Sequence, residues 1–359
     1  MQSLALALGL AITIALFYWR PILRGEALVP TDLLFIYAAF QKAAPEGFIG
    51  PSNPQITDPV FKFYPWQVVA RETLEERQFP LWNPYQFSGT PLLANGESAF
   101  LYPLSLLGLP LTIPQSWSLS ILLRIFIAGY GVYLFTRSIG ISLSGAVLAT
   151  LAFAFSASMT VWLNYPVSYA YSWMPLQLYM CERLIRRRSL TDTIVTGVII
   201  AFHLLGGHIQ TSFMIMLVWG AYGVFRIVSD YRAEHIVRQM IQRLALLALA
   251  CVVGMMLAAV MLVPFGEWLF EGSELQRRVE GRSINLIDPD LGLNIVSLVT
   301  VLIPNMLGNP TWGSGEILRR RALLSRLFTS AYYHLHLHLW LSQRCAVHLT
   351  AREQYIGVE

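Results

Sequence analysis

Between Ala99 and Cys181 the chain carries only two charged residues, Arg124 and Arg137. Water-exposed domains have about a quarter of their residues charged, so a run this long and this bare needs another solvent. Over all 359 residues the charged fraction is 13% against 55% hydrophobic, with mean hydropathy +0.53. Those values disfavour a soluble globule and exclude a disordered chain, which would be polar and charge-rich. The three cysteines, Cys181, Cys251 and Cys345, share no metal-ligand or CxxC spacing, so neither a disulfide scaffold nor a zinc module is written here. The chain reads as an all-α polytopic membrane protein.

A spanning helix needs about 20 predominantly apolar residues. The first candidate, Ser3 to Trp19, ends on Phe17-Tyr18-Trp19, an aromatic belt suited to an interface. A cleaved signal peptide is the alternative, disfavoured because no Lys or Arg precedes the apolar run. Further spans are expected near 115–136, 143–162, 166–182, 191–206, 209–228, 243–263 and 291–308, about eight in all. The net charge of +4 comes from 25 basic residues, of which only Lys42 and Lys62 are lysine. With a cytoplasmic amino terminus, one set of connections holds Arg137, then Arg183 and Arg186 to Arg188, then Arg226 through Arg243. The opposite turns, 163–166 and 206–208, hold no Lys or Arg. Charge bias therefore agrees with alternation, and a long first loop translocates despite its charges. The first loop (20–114) and the connection 264–290 are expected to face the exterior together. Clustering of the basic residues beside apolar runs also excludes a nucleic-acid partner in favour of the bilayer.

The first exterior loop is dense in proline, glycine and aromatics, which describes a rigid irregular surface lying on the membrane face. Within it, Gln67 to Gln78 is expected to form an amphipathic helix, with Val68, Val69 and Leu74 opposite Arg71, Glu72 and Glu75. Read structurally, the loop is a membrane-resting plug whose aromatics anchor at headgroup level. Read chemically, its only aspartates, Asp32 and Asp58, each lie near a proline and aromatics, where partial desolvation would favour a usable base. A lone loop aspartate is more often a turn residue. The second exterior segment carries Arg277, Arg278 and Arg282, whose planar forks suit phosphate, though Glu274 and Glu280 nearby also permit a solvated helix with internal ion pairs.

The order Asp58, Phe63-Tyr64-Pro65, Pro80-Leu81-Trp82-Asn83-Pro84-Tyr85, Gly89-Thr90-Pro91, Ala94-Asn95-Gly96-Glu97 and Tyr102-Pro103-Leu104 resembles the YfhO-type bacterial membrane proteins. Trp173-Met174-Pro175-Leu176, Glu182-Arg183-Leu184, Gly206-Gly207-His208-Ile209-Gln210 and Pro304 to Pro310 extend the likeness over about residues 1–311. The resemblance implies a GT-C-like bundle in the bacterial cytoplasmic (inner) membrane. It further implies a multi-pass glycosyltransferase that moves a sugar from a polyprenyl-phosphate donor to an exterior acceptor, a cell-envelope polymer or glycolipid. In that superfamily a carboxylate of the first exterior loop acts as the base, which places the role on Asp58, with Asp32 as runner-up. The leaving phosphate would be met by Arg277, Arg278 and Arg282 or by a divalent metal. Glu97 stands where the family pattern has glutamine and is a candidate aid to a metal. His208 and Gln210, at the exterior end of the sixth span, are candidates to line the cavity, with a simple hairpin turn as the equal alternative.

Arg124 lies inside the second span, where an arginine binds a phosphate or buried carboxylate, or else snorkels to the exterior interface. His203 reads as an interhelical hydrogen-bonder. After Trp312 the character changes: Arg319 to Arg321 and the alternating His334-Leu335-His336-Leu337-His338-Leu339 find no counterpart in the family. Residues 312–359 are expected to be a discordant tail, truncated and in part frame-shifted, with 327–343 a weak ninth span. A truncated chain would be inactive whatever its loop retains. Two other classes stay open: a lipid or polysaccharide transporter, and a noncatalytic envelope-assembly protein.

Overall fold

The computed structural model describes residues 2–54 and 56–271. Arg277, Arg278, Arg282, the expected span 291–308 and the whole of 312–359 lie outside the described residues. Four helical stretches are long and apolar enough to cross a membrane: Ile113–Ser138, Leu143–Val161, Ile209–Ala233 and Val237–Glu271. The chain is thus a mostly helical membrane protein.

Helix α1 (Gln2–Phe17) leads into the short α2 (Trp19–Arg24). The first loop then holds α3 (Tyr64–Glu75), the two-residue strands β1 (Trp82–Asn83) and β2 (Thr90–Pro91), and α4 (Pro103–Leu107). The bundle continues with α5 (Ile113–Ser138), α6 (Leu143–Ala154), α7 (Ala157–Val161), α8 (Pro166–Tyr171) and α9 (Met174–Arg187). It closes with α10 (Leu190–Leu204), α11 (Ile209–Glu234) and α12 (Val237–Glu271). The starts follow from local sequence. Thr112 and Gln115 form a capping box at α5, while Ser142, Ser156 and Ser189 accept amide hydrogens at α6, α7 and α10.

Four expected spans take a different form. Helices α1 and α10 are apolar but have 16 and 15 residues, about 24 Å and 22 Å at 1.5 Å per residue. The stretch 166–182 is two helices, α8 and α9, broken at Ser172 and Trp173. The span expected at 243–263 does not end at residue 263: α12 carries Pro264 inside it and runs to Glu271. A proline is tolerated there because neighbouring groups in a helical bundle can satisfy the freed carbonyl.

Close approaches fix the order of the helix ends. A Cβ at Gly129 of α5 would stand 3.0 Å from Leu10, and one at Gly131 would stand 2.7 Å from the Leu176 amide. Gly197 of α10 and Gly254 of α12 meet backbone to backbone, since a Cβ on Gly254 would lie 2.9 Å from the Gly197 carbonyl oxygen. Such small-residue crossings let membrane helices gain dispersion contact where no hydrophobic drive operates between them. The turns rich in arginine gather at one end of the bundle. The first loop and the turns 162–165 and 205–208 gather at the other, called here the loop end.

The first loop is packed into the bundle and does not merely rest on a membrane. Phe63, Trp66, Leu92 and Phe100 are buried in one core with Leu10, Trp117, Ile121 and Leu163. Burying an aromatic of that size stabilises by roughly 1.5–3 kcal/mol, so these residues hold the loop down. Helix α3 starts at Tyr64, earlier than its sequence pattern predicts, because a π-helical turn, Pro59–Phe63, runs straight into it. Arg71, expected among the solvated residues of that helix, instead donates to the carbonyls of Leu111 and Gly108, the latter at 3.1 Å. It thereby clamps α3 to the approach of α5.

Candidate functional site

The candidate residues meet at the loop end, where three short backbone segments converge. Asp58 opens the π-helical turn that Pro59 initiates, and its carboxylate is exposed. The desolvation expected for it is therefore absent from the structure. Its neighbour is Tyr165, whose hydroxyl is held above the ordinary tyrosine range by burial and by the charge of Asp58. The Tyr165 ring packs edge-on against Phe63, with centroids 5.7 Å apart, so the aromatic and the acid are fixed by the same turn.

One turn beyond Asp58, Lys62 places its Nζ 3.1 Å from Glu97 Oε2. The ammonium also lies 5.4 Å from the centroid of Trp66 and 5.6 Å from that of Phe63. Both partners of the ion pair are about a third exposed, so its net strength is modest. Glu97 also faces His208, the N-cap of α11, whose Nδ1 accepts from the Thr211 amide at 3.2 Å. Burial holds the His208 imidazole below the ordinary histidine value, and the charge of Glu97 partly opposes that.

What brings Glu97 to His208 is a contact between two glycines. Gly96 and Gly207 both adopt left-handed φ, +71° and +83°. A Cβ on Gly207 would run into the Gly96 carbonyl and stand 3.0 Å from the Glu97 amide. A Cβ on Gly96 would stand 3.1 Å from the Gly207 carbonyl oxygen. Two turns far apart in sequence thus dock main chain to main chain, and the glycine pair is more than a hairpin device.

Beside this cluster a cavity of about 150 Å³ opens between α1, α2, α5 and the turn after α7. Its walls are mainly apolar, including Phe17, Leu28, Ile121 and Leu163, with Arg20, Glu26 and Asn164 supplying polarity. Ile56, two residues before Asp58, and Tyr165 also line it. Asn164 is oriented by Trp117, whose indole N–H donates to Oδ1 at 2.8 Å.

The other candidates fall elsewhere. Asp32 Oδ2 accepts from the Ser52 amide at 2.6 Å, which closes the loop between them and gives this carboxylate a fold role. Gln210 is exposed on the first turn of α11. Arg124 does not snorkel, and among the described residues it meets no carboxylate. It is fully buried, donates to Ser120 O at 3.1 Å and to Ser168 Oγ, and lies 4.1 Å from the Tyr169 ring centroid. Tyr169 in turn stacks on Tyr102 of the first loop, 4.9 Å between centroids. Arg124 therefore supports the seat of the loop. Among the described residues no three His, Cys, Asp or Glu side chains converge to hold a metal, and Glu97 holds Lys62 instead.

Sequence reasoning missed Lys62, Tyr165 and Arg20. Lys62 carried a signal, being one of only two lysines and one turn from Asp58. Comparison with protein-family models, with curated proteins and with solved structures finds no match to this chain.

Proposed function

We propose that this protein is a GT-C-type membrane glycosyltransferase that uses a polyprenyl-phosphate sugar donor, with Asp58 as the base. The observation that carries the reading is that Tyr165 and Ile56 both border the apolar cavity, while Tyr165 also feels the charge of Asp58. A carboxylate beside an apolar cavity with an arginine in its wall suits transfer from a lipid phosphate, and among the described residues Glu26 is the one acid that shares that wall. The isoprenoid tail would lie along Phe17, Leu28 and Ile121, and its phosphate would meet Arg20. Asp58 would take the proton from the acceptor hydroxyl as that oxygen bonds to the anomeric carbon and the anomeric carbon–oxygen bond to phosphate breaks, releasing polyprenyl phosphate. An exposed base suits an acceptor hydroxyl presented at the outer face, from a cell-envelope polymer or from the headgroup of a glycolipid. The bundle of about eight spans, the amino terminus in the cytoplasm and the inner-membrane location belong to this same reading.

The test is sugar transfer in membranes from a labelled polyprenyl-phosphate donor. Asp58→Asn should lower the rate by roughly 10²–10⁴, the usual contribution of a general base, with insertion unchanged. Undiminished transfer in that variant overturns the base assignment. Movement of lipid or glycan across the bilayer without any transfer by the intact protein favours the transporter reading.

A further inference from the structure

The opposite end of the bundle carries an ionic arrangement that the proposed transfer does not use. Glu182 is buried and accepts from Arg186 Nε at 2.6 Å, from Arg226 at 2.9 Å and 3.1 Å, and from the Tyr222 hydroxyl at 2.7 Å. Asp230 pairs with Arg226 at 3.2 Å and Arg243 at 3.5 Å, and Asp192 with Arg183 at 2.7 Å. These three carboxylates are spent inside the protein. Arg243 also donates to the Ile185 carbonyl at 3.2 Å, so the ends of α9, α11 and α12 are tied at one point.

Four arginines remain outside that network. Arg187, Arg188, Arg232 and Arg238 are exposed and have no ion-pair partner among the described residues. Each is within six residues of the tie point along its helix, so the four share one rim of roughly 15 Å. Helix ends do not account for this charge. The C-termini of α9 and α11 contribute about half a negative charge each, the N-termini of α10 and α12 about half a positive one each, and Glu234 one negative charge, which leaves an excess near +3. Between the arginines, Ile236, Val237 and Ile241 are also exposed, at 43%, 49% and 57%. Guanidinium groups beside exposed branched aliphatics match one surface, the boundary between anionic headgroups and acyl chains.

We infer that this rim binds anionic phospholipid headgroups of the leaflet in which it sits. Arg187 and Arg188, from the end of α9, and Arg232 and Arg238, flanking the turn between α11 and α12, supply the cationic contacts. Ile236, Val237 and Ile241 enter the acyl boundary. The internal network makes the surface selective, because it spends Glu182, Asp192 and Asp230 on inner arginines and leaves the four outer arginines in charge excess.

The experiment uses the full chain, purified in detergent and titrated with phosphatidylglycerol or phosphatidylcholine, with bound lipid counted by native mass spectrometry. Phosphatidylglycerol should be retained and phosphatidylcholine should not, and millimolar inorganic phosphate should fail to displace the lipid. Each basic residue at an anionic surface contributes about fivefold (about 1 kcal/mol), so the variant R187Q/R188Q/R232Q/R238Q should bind at least about 100-fold more weakly. The corresponding four Arg→Lys changes should keep binding within a few-fold. Equal retention of both lipids, unchanged binding by the Gln variant, displacement by free phosphate, or loss in the Lys variant would each overturn the inference. The four side chains are exposed and outside the ion-pair network, and size-exclusion behaviour checks that the variants stay folded.

Discussion

Replacing Gly207 by alanine isolates the docking of the first loop onto the bundle. At φ +83° an L-residue incurs about 1 kcal/mol of left-handed strain. The new methyl also meets the Gly96 carbonyl and the Glu97 amide at 3.0 Å, neither of which is a flexible side-chain end. Overpacking of that kind typically costs 1–3 kcal/mol. Together the penalty is about 2–4 kcal/mol, a shift of roughly 30- to 700-fold in the docking equilibrium. The expected readout is faster hydrogen exchange over residues 94–102, with little change in the far halves of α5 and α12. Gly220→Ala is the matched control, because nothing lies within 4 Å of its Cβ and alanine favours a helix interior. If Gly207→Ala exchanges no faster than Gly220→Ala over those residues, the backbone contact does not hold the loop and the argument fails.

Two further outcomes follow from the charges. Glu182→Leu removes the common acceptor of Arg186, Arg226 and Tyr222 and leaves Arg226, only 22% exposed, without its closest counter-charge. Breaking a buried pair in this way costs about 3–5 kcal/mol, read as a fall in thermal midpoint of the detergent-solubilised protein. His208 has the opposite dependence from a salt-bridged histidine. Its folded value lies below the ordinary 6.5, so the unfolded chain binds the proton first and stability falls as pH drops below about 6.5. Glu97→Gln removes the opposing charge, so the His208 value should drop further and the acid loss should extend to lower pH. A thermal midpoint that rises on acidification through this range would contradict the assignment.

The membrane helices were legible because a run with two charges across Ala99 to Cys181 leaves few alternatives, and hydrophobic length is a one-dimensional property. Helix ends were readable too where Ser or Thr stands before the apolar run, as at Thr112 and Ser142. What could not be read was anything decided by contact across sequence. The break at Ser172 and Trp173 has one local mark, Pro175 in the first turn of α9, which apolar length alone places inside a continuous span. Arg71 looked solvated because helical periodicity cannot reveal that the carbonyls of Gly108 and Leu111 lie beside it. Asp58 and Glu97 were both visible as candidates, yet the pairing of Glu97 with Lys62 was not, since pairing depends on the fold. Gly96 and Gly207 each announced a turn, and only their three-dimensional approach shows that the two turns are one joint.

Helix α12 runs 35 residues, about 52 Å, against a hydrocarbon core of about 30 Å. Its last turns, beyond Pro264, flank Pro91 and Ala94 of the first loop across an open groove that Glu267, Trp268 and Glu271 also line. Glu271 lies seven residues past the proline, about 10 Å along the axis. A 20° change of bend at Pro264 would therefore swing Glu271 by about 4 Å. The end of this helix beyond Pro264 is thus a short lever arm, so that any change of angle at the proline would change the width of the groove beside the first loop.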